Sequence, residues 1–113
     1  MNILITGVAG FIGSKLCYEL LKDKKNKVYG IDNLSSYYSI KLKKLRLKNL
    51  KKFKNFKFYK QDLKDMNKLE KINFKKIDII YHFAAQAGVR YVLSDPKKYF
   101  DGNIKVFFNI LNL

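Results

Sequence analysis

Cysteine, proline and histidine each occur once in the 113 residues, and tryptophan is absent. The single thiol, Cys17, excludes a disulfide framework and a cysteine-based zinc site, and it fits a reducing compartment. No metal site is expected. Arginine is almost missing too: apart from Arg46 and Arg90, the basic residues are all lysine. Acidic side chains are few, 9 against 24 basic ones, leaving a formal net charge of +15. No apolar run approaches the roughly 18 to 20 residues that a membrane span needs. The longest such stretch, Ile3 to Gly13, has no basic segment ahead of it and is broken by three glycines, so it does not read as a secretory leader. A cytoplasmic protein with no membrane partner is the expectation.

Ten of the basic residues fall between Lys41 and Lys60, interspersed with Leu, Asn and Phe. A nucleic-acid surface is one reading of that stretch. A specific reader, however, draws on arginine for bidentate base and phosphate contacts, and arginine is scarce here. A solvated lysine face is therefore favoured, and no nucleic-acid partner is expected. With 48% hydrophobic residues the chain is ordinary for a globular protein, and its length suits one domain.

Apolar runs alternate with helical patterns, which is the rhythm of β-α-β units and a parallel sheet. Strands are expected at Asn2 to Thr6, Val28 to Ile31, Phe56 to Lys60 (edge-like) and Ile77 to Phe83, the last covered on both faces. Ile12, Leu16, Leu20 and Leu21 imply a helix running to about Lys22, and Ile40 to Phe53 reads as a second helix. Leu63, Met66, Leu69 and Ile72 suggest a short third. Asp95 as N-cap with Pro96 at the first helical position opens a fourth, with Phe100, Ile104, Phe107, Phe108 and Leu111 as its buried stripe. That helix ends with no stop signal and the sheet with an apolar edge, so the chain is expected to be the front portion of a longer protein. The fold class is α/β: a Rossmann-like, doubly wound parallel sheet, incomplete at about four strands in the order 3-2-1-4, with flanking helices.

Between the first strand and helix lies G-x-x-G-x-x-G: Gly7, Gly10 and Gly13. Gly7 permits the tight turn off the strand, Gly10 leaves room for a pyrophosphate to approach the backbone, and Gly13 lets the helix pack closely on the sheet. Asp32 closes the second strand nineteen residues after Gly13, close to the roughly 20 expected for an acid that binds ribose hydroxyls. Such a carboxylate accepts hydrogen bonds from both hydroxyls of NAD and repels a 2′-phosphate, and no arginine flanks it. NAD is the expected cofactor.

TGVAGFIGS, GIDNLSSYY and YHFAAQAGVRY together resemble the extended short-chain dehydrogenase/reductase family, the NAD-dependent sugar-nucleotide epimerases and dehydratases. The likeness spans essentially the whole chain and is greatest to UDP-glucuronate 4-epimerases. It implies that Gly7, Gly10, Phe11, Ile12 and Gly13 hold the pyrophosphate, and that Asp32 and Asn33, with Ser35 and Ser36 at the same end, face the adenosine ribose. It further implies Asp62 and Leu63 at the adenine, with Phe83, Ala84, Ala85 and Gln86 beside the nicotinamide ribose. Asn103 would shape that pocket from the following helix. Arg90 is a candidate for the negative charge of a nucleotide-sugar substrate, or else a solvated or carbonyl-capping loop residue. Tyr37, Tyr38 and Tyr91 either border the substrate or pack between helix and loop. His82 reads as structural and Cys17 as core.

The family's catalytic Tyr-x-x-x-Lys with its Ser/Thr partner is not recognised; Tyr37 with Lys41 has the spacing but sits on the wrong element. The resemblance therefore implies that residues 1–113 are the NAD-binding, N-terminal portion of a nucleotide-sugar 4-epimerase, without catalytic or substrate-binding parts and inactive alone. The full-length enzyme would be a homodimer acting by transient C4 oxidation and hydride return. A dehydratase or other epimerase of the family, or a non-catalytic NAD-binding fragment, remain alternatives.

Overall fold

A computed structural model of the chain describes residues 1–74, 76–90 and 92–113. Four strands, β1 (Asn2–Thr6), β2 (Lys27–Asp32), β3 (Phe56–Lys60) and β4 (Ile79–His82), form one sheet in the order β3-β2-β1-β4. Every pairing is parallel, with Ile3 beside Val28 and Ile79, and Val28 in turn beside Phe56. The connections carry helices α1 (Phe11–Leu21), α2 (Ile40–Leu50) and α3 (Met66–Glu70). After β4 a continuous helical segment runs through α4 (Pro96–Tyr99), a π-helical stretch (Phe100–Lys105) and α5 (Val106–Leu111).

The double winding follows from strand alternation. Side chains along a strand point to opposite faces, so Ile3 and Ile5 of β1 join Val28 on one side. There they pack with Cys17 and Leu21 of α1 and Leu47 and Leu50 of α2. Leu4, Tyr29 and Ile31 point the other way and meet Leu63, Leu69, Val106 and Ile110. Each face needs its own helical cover, and each has one. Truncating a fully buried member such as Leu4 or Leu21 to alanine costs about 2–5 kcal/mol.

Helix α1 begins at Phe11, capped by Gly10, rather than after Gly13. Gly13 thus lies inside the helix, and the buried stripe is Gly13, Cys17 and Leu21, while Ile12 is exposed. The end of α1 is tied down by Asn55, whose side-chain amide donates to the carbonyls of Leu21, Asp23 and Asn26 at 3.2, 3.4 and 3.0 Å. Helix α2 ends at Leu50, three residues short of Phe53, and turns Lys43, Leu47 and Leu50 inward. Its exposed lysines form the solvated face expected of that stretch. Helix α3 is only Met66–Glu70, with Leu63 and Ile72 packing from outside it.

Two expectations fail. Strand β4 is an edge strand with Ile80 partly exposed, so it is not covered on both faces. The last helical segment turns its apolar stripe outward: Phe100, Ile104, Phe107, Phe108 and Leu111 are each at least half exposed. Its inward residues are Gly102, Asn103, Val106, Asn109 and Ile110. Close approach and hydrogen bonding decide this orientation. A Cβ on Gly102 would lie 3.0 Å from Cβ of Gln86, Asn103 bonds the backbone of Gln86, and Asn109 Nδ2 donates to the Leu63 carbonyl at 2.8 Å. The Asn109 amide is buried and the Asn103 amide partly so, and leaving either unpaired would be costly. No helix among the described residues is long and apolar enough to cross a membrane.

Candidate functional site: a cleft at the carboxyl ends of the strands

The turn from β1 into α1 is built on two glycine contacts. Gly7 adopts φ +66°, and its N–H donates to the Ile31 carbonyl at 2.8 Å. A side chain there would press on the backbone of Phe83 and Ala84, at 2.9 and 2.8 Å. At Gly13 a Cβ would collide with the Gly7 carbonyl, so the helix and the turn touch backbone to backbone. No side chain caps the helix at Gly10, leaving its first amides and the positive end of its dipole available to an anion.

Asp32, at the end of β2, is buried and bonded at both oxygens. Oδ2 accepts from the Ala9 amide at 3.0 Å and Oδ1 from the Leu34 amide at 2.8 Å. The carboxylate thereby joins the glycine turn to the loop after β2, while each oxygen keeps acceptor capacity. Leu34, held by that bond, takes φ +53°.

These segments wall a cleft of about 450 Å³, within the size range of cofactor sites. Gly7, Gly10, Asp32, Asn33, Ser35, Asp62, Leu63, Phe83, Ala84, Ala85 and Gln86 line it, as the sequence led one to expect. Other expected residues stand off it. Gly13 is the packing glycine beneath the turn, Phe11 and Ile12 are exposed at the start of α1, and Ser36 is exposed beyond Ser35. Asn103 acts at one remove: its Oδ1 accepts from the Gln86 amide at 2.7 Å and its Nδ2 donates to the Gln86 carbonyl at 3.4 Å, fixing the loop that lines the cleft. Arg90 is exposed and does not line it. Tyr37 and Tyr38 do, stacked edge to face at 4.9 Å, while Tyr91 lies outside the described residues.

His82 and Thr6, at the carboxyl ends of β4 and β1, do not line the cleft. The Thr6 hydroxyl accepts from the Ala84 amide at 3.2 Å and shares a 2.6 Å hydrogen bond with His82 Nδ1, whose direction follows the imidazole tautomer. Burial holds the imidazole below the ordinary histidine value, consistent with a neutral ring. Burial likewise pushes the Cys17 thiol up to about 12, as suits an inert core residue. A second Tyr-x-x-x-Lys pair, Tyr18 and Lys22, also exists, but it lies on the outer surface of α1 with the ammonium 5.0 Å from the ring, and neither residue lines the cleft.

Sequence reasoning missed the cations that α2 brings inward. Lys43 is only 8% exposed, lines the cleft and donates to the Ser35 carbonyl at 2.8 Å. Arg46, one turn further along, donates to the Ala9 carbonyl at 3.2 Å and sits over the Phe11 ring. The signal was the i, i+3, i+4, i+7 register Lys43, Arg46, Leu47, Leu50, masked by leucines on the outer side. Asp32, Asp62 and Asp101 balance Lys43, Lys64 and Lys98 around the cleft, which is thus formally neutral in a chain of net charge +15.

A parallel, doubly wound sheet with a glycine turn and an acid at its switch point defines a dinucleotide-binding class of domain. Comparison with known proteins narrows the class. The sequence profile of the GDP-mannose 4,6 dehydratase family matches residues 4–113, and the chain belongs to that family of NAD-dependent epimerases and dehydratases. The protein CapI of Staphylococcus aureus is 46% identical over 111 residues, covering 98% of this chain and 33% of its own. A probable UDP-glucuronate 4-epimerase of Rhizobium meliloti is 40% identical over 114 residues, 100% of this chain and 33% of its own. The crystal structure of UDP-glucuronic acid 4-epimerase from Bacillus cereus, in complex with UDP-glucuronic acid and NAD, superposes with a TM-score of 0.86 at 38% identity. It covers 99% of this chain and 35% of that one. The chain therefore spans about a third of the length of these relatives.

Proposed function

We propose that residues 1–113 form an NAD-binding domain of a nucleotide-sugar 4-epimerase acting on UDP-glucuronate. The observation that carries the reading is the junction of Asp32 with the glycine turn through the Ala9 amide at 3.0 Å. It places one carboxylate beside a backbone cradle that has no side chain at Gly7 or Gly10. In that cradle the uncapped start of α1 and the bare backbone receive the diphosphate, Asp32 and Asn33 the adenosine ribose, and Asp62 and Leu63 the adenine. Phe83 to Gln86, held by Asn103 and Thr6, flank the nicotinamide ribose. When bound, NAD supplies reversible hydride acceptance from a sugar carbon; the chain's own contribution is to bind, orient and exclude water. No proton donor or acceptor for the sugar is assigned to these residues, so the domain alone binds cofactor without turning over substrate.

Arg90 remains the candidate for the substrate's negative charge. The outward apolar face of the last helix supports further protein packing there, in a homodimeric, cytoplasmic full-length enzyme. The test is calorimetric titration of the chain with NAD, wild type against Asp32→Asn. We expect saturable binding that weakens by at least about tenfold in the variant, the scale of one charge-assisted hydrogen bond. Equal affinities would refute the role of Asp32.

A further inference from the structure

Helix α2 has a second face. Lys43, Leu47 and Leu50 turn inward. The opposite side carries Lys41, Lys44, Leu45 and Lys48, the i, i+3, i+4, i+7 pattern of one helix surface. All four are exposed, and so is Leu42 beside them. No acidic residue stands between Asp32 and Asp62 in the sequence. Among the described residues every ion pair is made by a lysine outside α2. The ammonium groups of this face therefore have no counter-charge, on a chain of net charge +15. None of these residues lines the dinucleotide cleft.

The leucines say what kind of anion fits. Leu42 is 45% and Leu45 55% exposed, in the middle of the lysine row. A bilayer interface matches both features, with anionic headgroups for the ammonium groups and an acyl boundary just beneath for the leucines. Lysine stems lie along apolar surface while their charged ends reach outward. A nucleic acid would match the charge but leave the leucines in water. Its specific readers also use guanidinium forks, and the one arginine of α2, Arg46, is turned to the Ala9 carbonyl. We propose that the outer face of α2 docks the protein on an anionic phospholipid surface, with Leu42 and Leu45 at the acyl boundary and Lys41, Lys44 and Lys48 on the headgroups. Such docking needs no spanning helix, and it replaces the expectation of no membrane partner. It stands apart from the dinucleotide reading and does not depend on it.

The test is co-sedimentation of the whole chain with vesicles of equal parts phosphatidylserine and phosphatidylcholine, and with vesicles of phosphatidylcholine alone. Wild type should bind the anionic vesicles and not the neutral ones, and binding should fade as salt rises. Each lysine at such a surface is worth about fivefold in affinity. Lys41→Gln, Lys44→Gln and Lys48→Gln combined should thus weaken binding by about a hundredfold, with good helix formers kept at every position. Leu45→Gln, which leaves the charge intact, should weaken it by at least about fivefold. Glutamine at Lys71, Lys76 and Lys105, exposed lysines outside α2, should cost no more than about fivefold. Equal losses from the two triple variants would mean attraction by net charge alone and overturn the proposal. Leu45→Gln binding like wild type would overturn it as well. So would wild type that ignores anionic vesicles, a readout that needs no variant to fold. Wild type that holds a mixed-sequence DNA duplex at a salt concentration where it releases the vesicles would put a nucleic acid on this face instead.

Discussion

Replacing Gly7 with alanine tests the junction on which the cleft is built. Gly7 sits at φ +66°, where an L side chain costs about 1–2 kcal/mol. The new methyl would also lie 2.8 Å from the Ala84 nitrogen and 2.9 Å from the Phe83 carbonyl carbon. Both are backbone atoms at the end of β4, so no rotamer change relieves the contact. Moving them strains the bonds from the Phe83 amide to the Thr6 carbonyl (3.2 Å) and from the Ala84 amide to the Thr6 hydroxyl (3.2 Å). Overpacking of this kind adds about 1–3 kcal/mol, for a total of about 2–5 kcal/mol. That is a large part of the 5–15 kcal/mol or so that holds a typical domain together. In urea, with a slope of about 1–3 kcal/mol per molar, the unfolding midpoint should fall by at least about 0.7 M. A midpoint within about 0.3 M of wild type would show that β1, the turn and β4 do not meet as described.

Cys17, buried in the α1 face of the core with its thiol pushed up to about 12, should resist a thiol-reactive dye in the native protein and react at once in denaturant; prompt native labelling would contradict its placement. His82, the chain's one histidine, is held below its ordinary 6.5 by burial. The unfolded chain therefore takes up the proton first, and stability present above pH 6.5 or so should decline as pH falls from there toward the folded value. Thermal melts of wild type and His82→Gln across that window check this, and the variant should have the flatter profile. A steeper fall in the variant would contradict a buried, neutral imidazole.

The sheet order and the glycine–acid pairing were legible because local signals and the global fold agree there. Ile3, Leu4 and Ile5 alternate between two cores, and the Gly7 to Asp32 spacing is set by one β-α-β unit. Where the sequence misled, a tertiary contact outweighed local apolarity. The last helix buries Gly102, Asn103 and Asn109 because they touch or bond Gln86 and Leu63, and it leaves Phe107 and Phe108 outside. Ile12 is exposed because Gly13, not a large apolar residue, is what the turn demands beneath it. Lys43 read as one more solvated lysine until the fold brought it to Ser35.

Gly10 offers the cleanest separation of fold from binding. It sits at φ −71° and ψ 172°, backbone that any residue adopts, it lines the cleft, and a Cβ there would meet the Gly7 carbonyl oxygen at 3.1 Å, a contact relieved by a shift of a few tenths of an ångström. Titrating NAD into Gly10→Ala should therefore show affinity reduced by at least about tenfold, or 1.4 kcal/mol, with the circular dichroism and melting temperature of wild type retained. Undiminished NAD affinity in a folded Gly10→Ala protein would mean that no diphosphate rests on that bare backbone.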